Sequence, residues 1–161
     1  MEGLRRLAEA LHELEDEWFP DPKSMSEECW GCLAGILQAV QEPVFGKVKY
    51  PDPWERSTAL LVRISRRHCL PNGNKRLASA AFLATIFFNL ETFYPDLDEE
   101  QAKDRLRHAE QAAIKALAVI AARTDSNEEE ALISDVTPTA RRAMTLAPLP
   151  EDGSEDARGQ G

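Results

Sequence analysis

The run from Leu77 to Leu90 is apolar almost all round, though it carries Ser79 and Asn89. At 14 residues it is too short to span a bilayer, where about 20 are needed, so it must be buried against other parts of the same chain. Its small residues, Ala78, Ser79, Ala80, Ala81 and Ala84, let neighbouring backbones approach closely. A chain built round such a helix is expected to fold as an all-α bundle with this helix at its centre.

The loop in front of that helix carries the chemistry: His68, Cys69, Leu70, Pro71, Asn72, Gly73, Asn74, Lys75 and Arg76 in succession. A helix start collects unpaired N–H groups and a partial positive charge, and so favours anions. Lys75 and Arg76 oppose the usual preference for acids in a first turn, which points to an anionic ligand, phosphate above all. His68 adds a titratable group at the mouth of the same loop.

Charge supports a local site and not a polyanion-binding face. The net charge is −9, which argues against general affinity for nucleic acid. Between residues 47 and 76, however, eight bases (Lys47, Lys49, Arg56, Arg63, Arg66, Arg67, Lys75, Arg76) face two acids, Asp52 and Glu55. The alternative for this cluster is a solvated basic helix face. Apolar content of 43% is that of a globular domain. No basic segment followed by an apolar stretch opens the chain, so the expected location is the cytoplasm.

The remaining elements follow from period and punctuation, with no internal repeat. Leu4, Leu7, Leu11, Leu14 and Trp18 share one helical face over residues 3–18, and Pro20 and Pro22 end it. Ser24 to Glu27 reads as a capping box for a helix with Trp30, Leu33, Leu37 and Val40 inward. Residues 43–50 switch to period two, with Val44, Val48 and Tyr50 alternating with Phe45, Lys47 and Lys49. That pattern predicts a short extended segment or hairpin, open to strand addition by a partner, or else a plain connecting loop. Asp52, Pro53 and Glu55 start a helix to about Arg67, with Leu60, Leu61 and Ile64 inward and Arg56, Arg63 and Arg67 on one face. Asp98 and Gln101 cap a long helix to about Arg123, with Leu106, Ala109, Ala113, Leu117 and Ile120 as its stripe. The domain is thus residues 1–123, with its core over about 30–123. Residues 124–161, nine acids against three bases with no sustained period, are expected to form an acidic, disordered tail, a short helix near Glu128–Ile133 being the local alternative.

Smaller signals have plainer readings. Cys29 and Cys32 have C-x-x-C spacing inside an amphipathic helix, and His68 with Cys69 could complete a zinc set on paper. Small buried thiols are the preferred reading. His12 and His108 lie among charged residues and are expected to be solvated.

The nine-residue loop resembles the Fic/Doc signature, H-x-F-x-[D/E]-[G/A]-N-[G/K]-R, matching at His68, Gly73, Asn74, Lys75 and Arg76, with Leu70 replacing Phe and Asn72 replacing the acid. The resemblance covers roughly residues 30–123. It implies a Fic/Doc-like helical bundle with a short β-like flap, and transfer of part of a nucleotide onto a hydroxyl of a target protein. His68 would then be the general base, with Lys75 and Arg76 stabilising the developing charge. Asn72, Gly73, Asn74, Lys75 and Arg76 would hold the nucleotide phosphates, Gly73 by permitting close backbone approach. Val44, Phe45, Gly46, Lys47 and Val48 fall where the target-clamping flap lies. ATP or another nucleotide is the implied cofactor, with Mg²⁺ as its companion.

Within the family, Lys75 and the Ser79 found where adenylylating members often carry a second Arg are similar to Doc-type toxins. Those act as kinases, passing the γ-phosphate of ATP to a translation elongation factor until an antitoxin protein blocks them. The resemblance therefore implies a soluble enzyme with a target protein and an antitoxin as partners, and neither membrane nor direct nucleic-acid binding. Adenylyl transfer and a catalytically degenerate nucleotide-binding or interaction module are the alternatives. Asn72 is the departure: as a metal ligand it keeps an oxygen but loses a charge, which should lower metal affinity. Thr124 to Glu128 fits the start of the family's self-inhibitory motif, but Glu129 follows where Gly or Asn is expected.

Overall fold

The computed structural model describes residues 1–14, 17, 19–43, 45–90, 95–123 and 129–145, positions 143–145 by their backbone alone. Its elements in chain order are α1 (Glu2–Leu14), a 3-10 turn (Pro22–Ser24), α2 (Glu27–Gln41), α3 (Pro53–Arg67), α4 (Asn74–Phe88), α5 (Glu99–Ala122) and α6 (Glu129–Thr145). The fold is all-α. No described helix is long and apolar enough to cross a membrane.

The bundle does form round a buried helix, but that helix is α3 and not α4. Every residue from Ser57 to Ser65 of α3 is buried, and α2, α4, α5 and α6 all pack on it. The hydroxyls of Ser57 and Ser65 can be buried because they donate back to Trp54 O and Val62 O at 2.9 and 3.0 Å. On α4 the inward face is Leu77, Ala78, Ala81, Phe82 and Ile86, whereas Phe87 and Phe88 are exposed. An all-round apolar sequence is thus compatible with a one-sided helix when its last turn carries the surplus.

Local capping works largely as read. Asp52 accepts from Trp54 N at 2.8 Å with Pro53 opening the first turn of α3. Asp98 and Gln101 form a reciprocal capping box at the start of α5. At α2 the cap moves: Ser26, not Ser24, accepts from Cys29 N, because Ser24 is held in the 3-10 turn by its own bond to Asp21 O. Helix α1 stops at Leu14, which is exposed, and Trp18 lies outside the described residues.

The largest correction lies beyond residue 128. Glu129–Thr145 is a helix and not part of a tail, burying Leu132, Ile133, Val136, Thr137 and Ala140 against α3 and α5. These positions follow helical spacing, and Glu129 and Glu130 suit a first turn, but Pro138 in the middle obscures the pattern. The core therefore extends at both ends past 30–123, taking in Leu4, Ala8 and Phe19 as well. Residues 124–128, which hold the expected inhibitory motif, and 146–161 lie outside the described residues.

Of the two forms expected at 43–50, the structure favours the hairpin: Phe45 and Gly46 both adopt positive φ (50° and 77°), as the central residues of a tight hairpin turn do. Lys47 makes one isolated bridge, and no described residue belongs to a strand. Val44 lies outside the described residues. Tyr50 leaves the alternation to enter the core.

Cys32 and Cys69 form a disulfide between α2 and the loop after α3, their Cα atoms 5.6 Å apart. The reading of Cys29 and Cys32 as a pair of small buried thiols fails on both counts, since Cys32 is bonded and Cys29 is a half-buried free thiol. Among the described residues no group of three or more His, Cys, Asp or Glu side chains converges as a metal site. His12 is partly buried, its Nδ1 3.0 Å from Phe19 O, and His108 Nδ1 lies 3.4 Å from Asp104, so neither is simply solvated.

Candidate functional site

The motif loop is shaped by two backbone positions and one side chain. Helix α3 ends where His68 takes a left-handed conformation (φ 49°, ψ 42°), the place usually filled by glycine. The chain re-enters a helix through Gly73 (φ 80°, ψ 2°). Between them Asn74 closes the loop: it accepts from Leu70 N at 2.9 Å and donates to Leu70 O at 2.7 Å. Asn74 and Leu70 are both buried, so these bonds supply partners that water does not.

Gly73 is required by packing as well as by φ. A Cβ there would lie 2.6 Å from Cδ2 and 2.8 Å from Cε2 of Phe19, which is itself buried. The ring of Phe19 thus forms the floor under the start of α4.

Gly73 offers α4 no side-chain cap, and no acid stands in its first turn. Lys75 and Arg76 in that turn are both exposed. His68 is exposed at the other end of the loop, over a cavity of about 600 Å³ that it lines with Arg67, Cys69, Leu70, Cys29 and Cys32. The elements therefore bring His68, Asn72, Gly73, Asn74, Lys75 and Arg76 to one loop, as read from the motif. Such an arrangement can hold an anion on backbone N–H groups and cations with a histidine beside it.

The basic stripe resolves differently. Arg56 donates to Tyr50 O and Pro51 O, fixing the segment before α3. Arg63, 5% exposed, donates to Glu130 at 2.5 Å and to the Tyr50 hydroxyl at 3.2 Å. Arg67 forms a two-pronged pair with Glu129 at 3.0 and 3.1 Å. Arg66 donates to Arg123 O at the end of α5. Lys49 reaches Glu130 at 2.8 Å. The acids that answer this stripe are those of α6, which sequence reading had placed in the tail.

This cluster shifts its own titrations. Burial pushes Glu130 up, but hydrogen bonds from Lys49, Tyr50 and Arg63 outweigh it and hold the carboxyl below its ordinary value. The bond to Glu130 raises Lys49, and burial with the same carboxylate raises the Tyr50 phenol. Arg67 is raised by its bond to Glu129.

At the expected flap, Phe45 is fully exposed and Val48 42% exposed beside the turn at Gly46, while Lys47 is exposed as well. A metal fits poorly at position 72, because the Asn72 amide oxygen already accepts from Gly73 N at 2.8 Å and carries no charge.

No family model matches the chain, and no solved structure matches it significantly. A curated relative, Toxin Doc of Mycolicibacterium smegmatis, is 35% identical over 75 residues, covering 47% of this chain and 58% of the relative. The chain thus shares part of its length with a Doc toxin and spans somewhat more than half of that protein.

Proposed function

We propose that this chain is a Doc-like toxin of the Fic/Doc family that transfers the γ-phosphate of ATP to a hydroxyl of a target protein. The observation that carries the reading is the uncapped start of α4, with Lys75 and Arg76 in its first turn and His68 at the other end of an Asn74-closed loop. The partial likeness to Toxin Doc supports it. The phosphates lie on the first N–H groups of α4, Lys75 and Arg76, the last also engaged within the fold. His68 takes the proton of the target hydroxyl as its oxygen bonds to the γ-phosphorus, and the bond to the bridging oxygen breaks to release ADP. Any Mg²⁺ arrives with the nucleotide, and no step is assigned to it here. The target proposed is a translation elongation factor, with an antitoxin protein as the inhibitory partner, and the exposed turn at Phe45–Val48 receives the target.

A second reading, a nucleotide-binding or interaction module without transfer, is favoured by Asn72, whose oxygen is occupied by Gly73 N.

Parallel transfer assays on purified elongation factor and on whole lysate separate these, using ATP labelled at the γ- or the α-phosphate, with His68→Ala as control. Label from γ alone, lost in the control, is expected. Label from α would make the protein an adenylyltransferase. Binding of ATP without any transfer would favour the module.

A further inference from the structure

Cys69 directly follows His68 and is covalently tied to Cys32 on α2, so one bond joins the candidate site to a neighbouring helix. Cys32 and Cys69 line the same cavity of about 600 Å³ as His68 and Arg67, and so does Cys29, whose thiol is free. Cys32 is only partly buried, whereas Cys69 is 7% exposed, so a small thiol entering the cavity meets Cys32 first. On the loop side, the restraints nearest to His68 are this bond and the Asn74 pair at Leu70. His68 itself sits in a conformation unfavourable for a non-glycine residue, which persists only where its surroundings hold it.

We propose that Cys32–Cys69 is a thiol-reducible latch on the motif loop, a redox modification site that sets the mobility of His68. The co-reactant is a low-molecular-weight thiol. Its thiolate attacks Cys32 Sγ, the Cys32–Cys69 bond breaks, and Cys69 leaves as a thiolate that takes a proton from water. A second thiol then attacks the mixed disulfide, giving a Cys32 thiol and the oxidised small-molecule disulfide. Two electrons pass from the two small thiols to the protein disulfide. In a reducing compartment such bonds are the transient, redox-sensing kind. The latch does not depend on which group the site transfers.

The test uses the full chain purified without reductant. Peptide mapping after alkylation should find Cys32 joined to Cys69 and Cys29 free. Hydrogen exchange is then compared before and after equilibration with reduced glutathione, and with Cys32→Ser, which leaves the chain uncrosslinked without adding volume. The expected result is bond opening in glutathione and roughly tenfold faster exchange over 68–74 in both uncrosslinked forms, with α5 unchanged. Reoxidation should restore protection. The proposal fails if the pair is not found, if the bond resists excess reduced glutathione, or if opening it leaves exchange over 68–74 unaltered. These readouts require no transfer activity, so a failed assay of the transferase reading leaves them intact.

Discussion

Asn74 bonds both backbone groups of Leu70, accepting its N–H at 2.9 Å and donating to its carbonyl at 2.7 Å, across the turn Pro71–Asn72–Gly73 in the middle of the motif. The first residue of α4 thereby determines where the loop in front of it runs. An asparagine suits this because it offers an acceptor and a donor on one flat group. Aspartate would supply only the acceptor.

Asn74→Ala should lower unfolding free energy by about 2–4 kcal/mol, since two buried groups at Leu70 lose their partners. Asn74→Asp keeps the bond from Leu70 N but sets a buried carboxylate against the Leu70 carbonyl, so it should lose at least as much in stability and bind phosphate or ATP more weakly through its added charge. Urea unfolding and calorimetric titration check the two effects. Equal stability of wild type and Asn74→Ala would show the loop is held by other contacts.

Gly73→Ala combines a left-handed backbone with a collision against Phe19, which is buried and has little room to yield. The expected cost is about 2–4 kcal/mol. The partner variant Phe19→Leu should recover part of it in a double-mutant cycle, because the shorter side chain removes ring atoms from the contact. Simple additivity would mean the Phe19 contact is not the source of the cost.

Glu130→Gln should destabilise the fold by about 1–2 kcal/mol, a value discounted from that of a fully buried pair because the Glu130 side chain is 53% exposed. The larger part of the loss is Arg63 left buried with a weaker partner. The folded carboxyl lies below its ordinary 4.5, so its contribution is complete above that pH and falls away as the pH drops through the folded value. Lys49 and Tyr50 are raised, so their contributions hold below their ordinary 10.5 and 10.0 and are lost as pH rises through the folded values. Melting curves from pH 3 to 7 should show a smaller acid-side loss in Glu130→Gln than in wild type (order-of-magnitude window). Parallel curves would remove Glu130 from the acid transition.

Asn72→Asp restores a charge at an exposed position without removing an acceptor for Gly73 N, so stability should change by no more than about 0.5 kcal/mol. Mg²⁺ should then strengthen ATP binding roughly tenfold more in the variant than in wild type. Titrations with and without Mg²⁺ measure this directly. Identical Mg²⁺ dependence would mean that position 72 is not where a metal bears on the nucleotide.

Much of the fold was legible locally. Asp52 and Asp98 cap the helices read from them, and α3 ends at Arg67 just before His68, because capping is decided within a few residues. The motif residues were legible but not what places them: the left-handed His68, the Asn74 bonds to Leu70 and the contact of Gly73 with Phe19 appear only in the structure. The alternation at residues 43–50 reads as an extended segment or a hairpin and cannot choose between them; the positive φ of Phe45 and Gly46 favours the hairpin. What failed needed partners distant in sequence. Eight bases between 47 and 76 read as a ligand site until α6 returns Glu129 and Glu130 to Arg67, Arg63 and Lys49, across 62 to 81 residues. Short-range patterns suffice for the starts of α3 and α5 and for the end of α3, which follow from local sterics and hydrogen bonding, but not for α6 or the cap of α2. Only the tertiary structure decided which helix lies at the centre, which charges are already neutralised and that Cys69 meets Cys32, because packing chooses partners that no local pattern encodes.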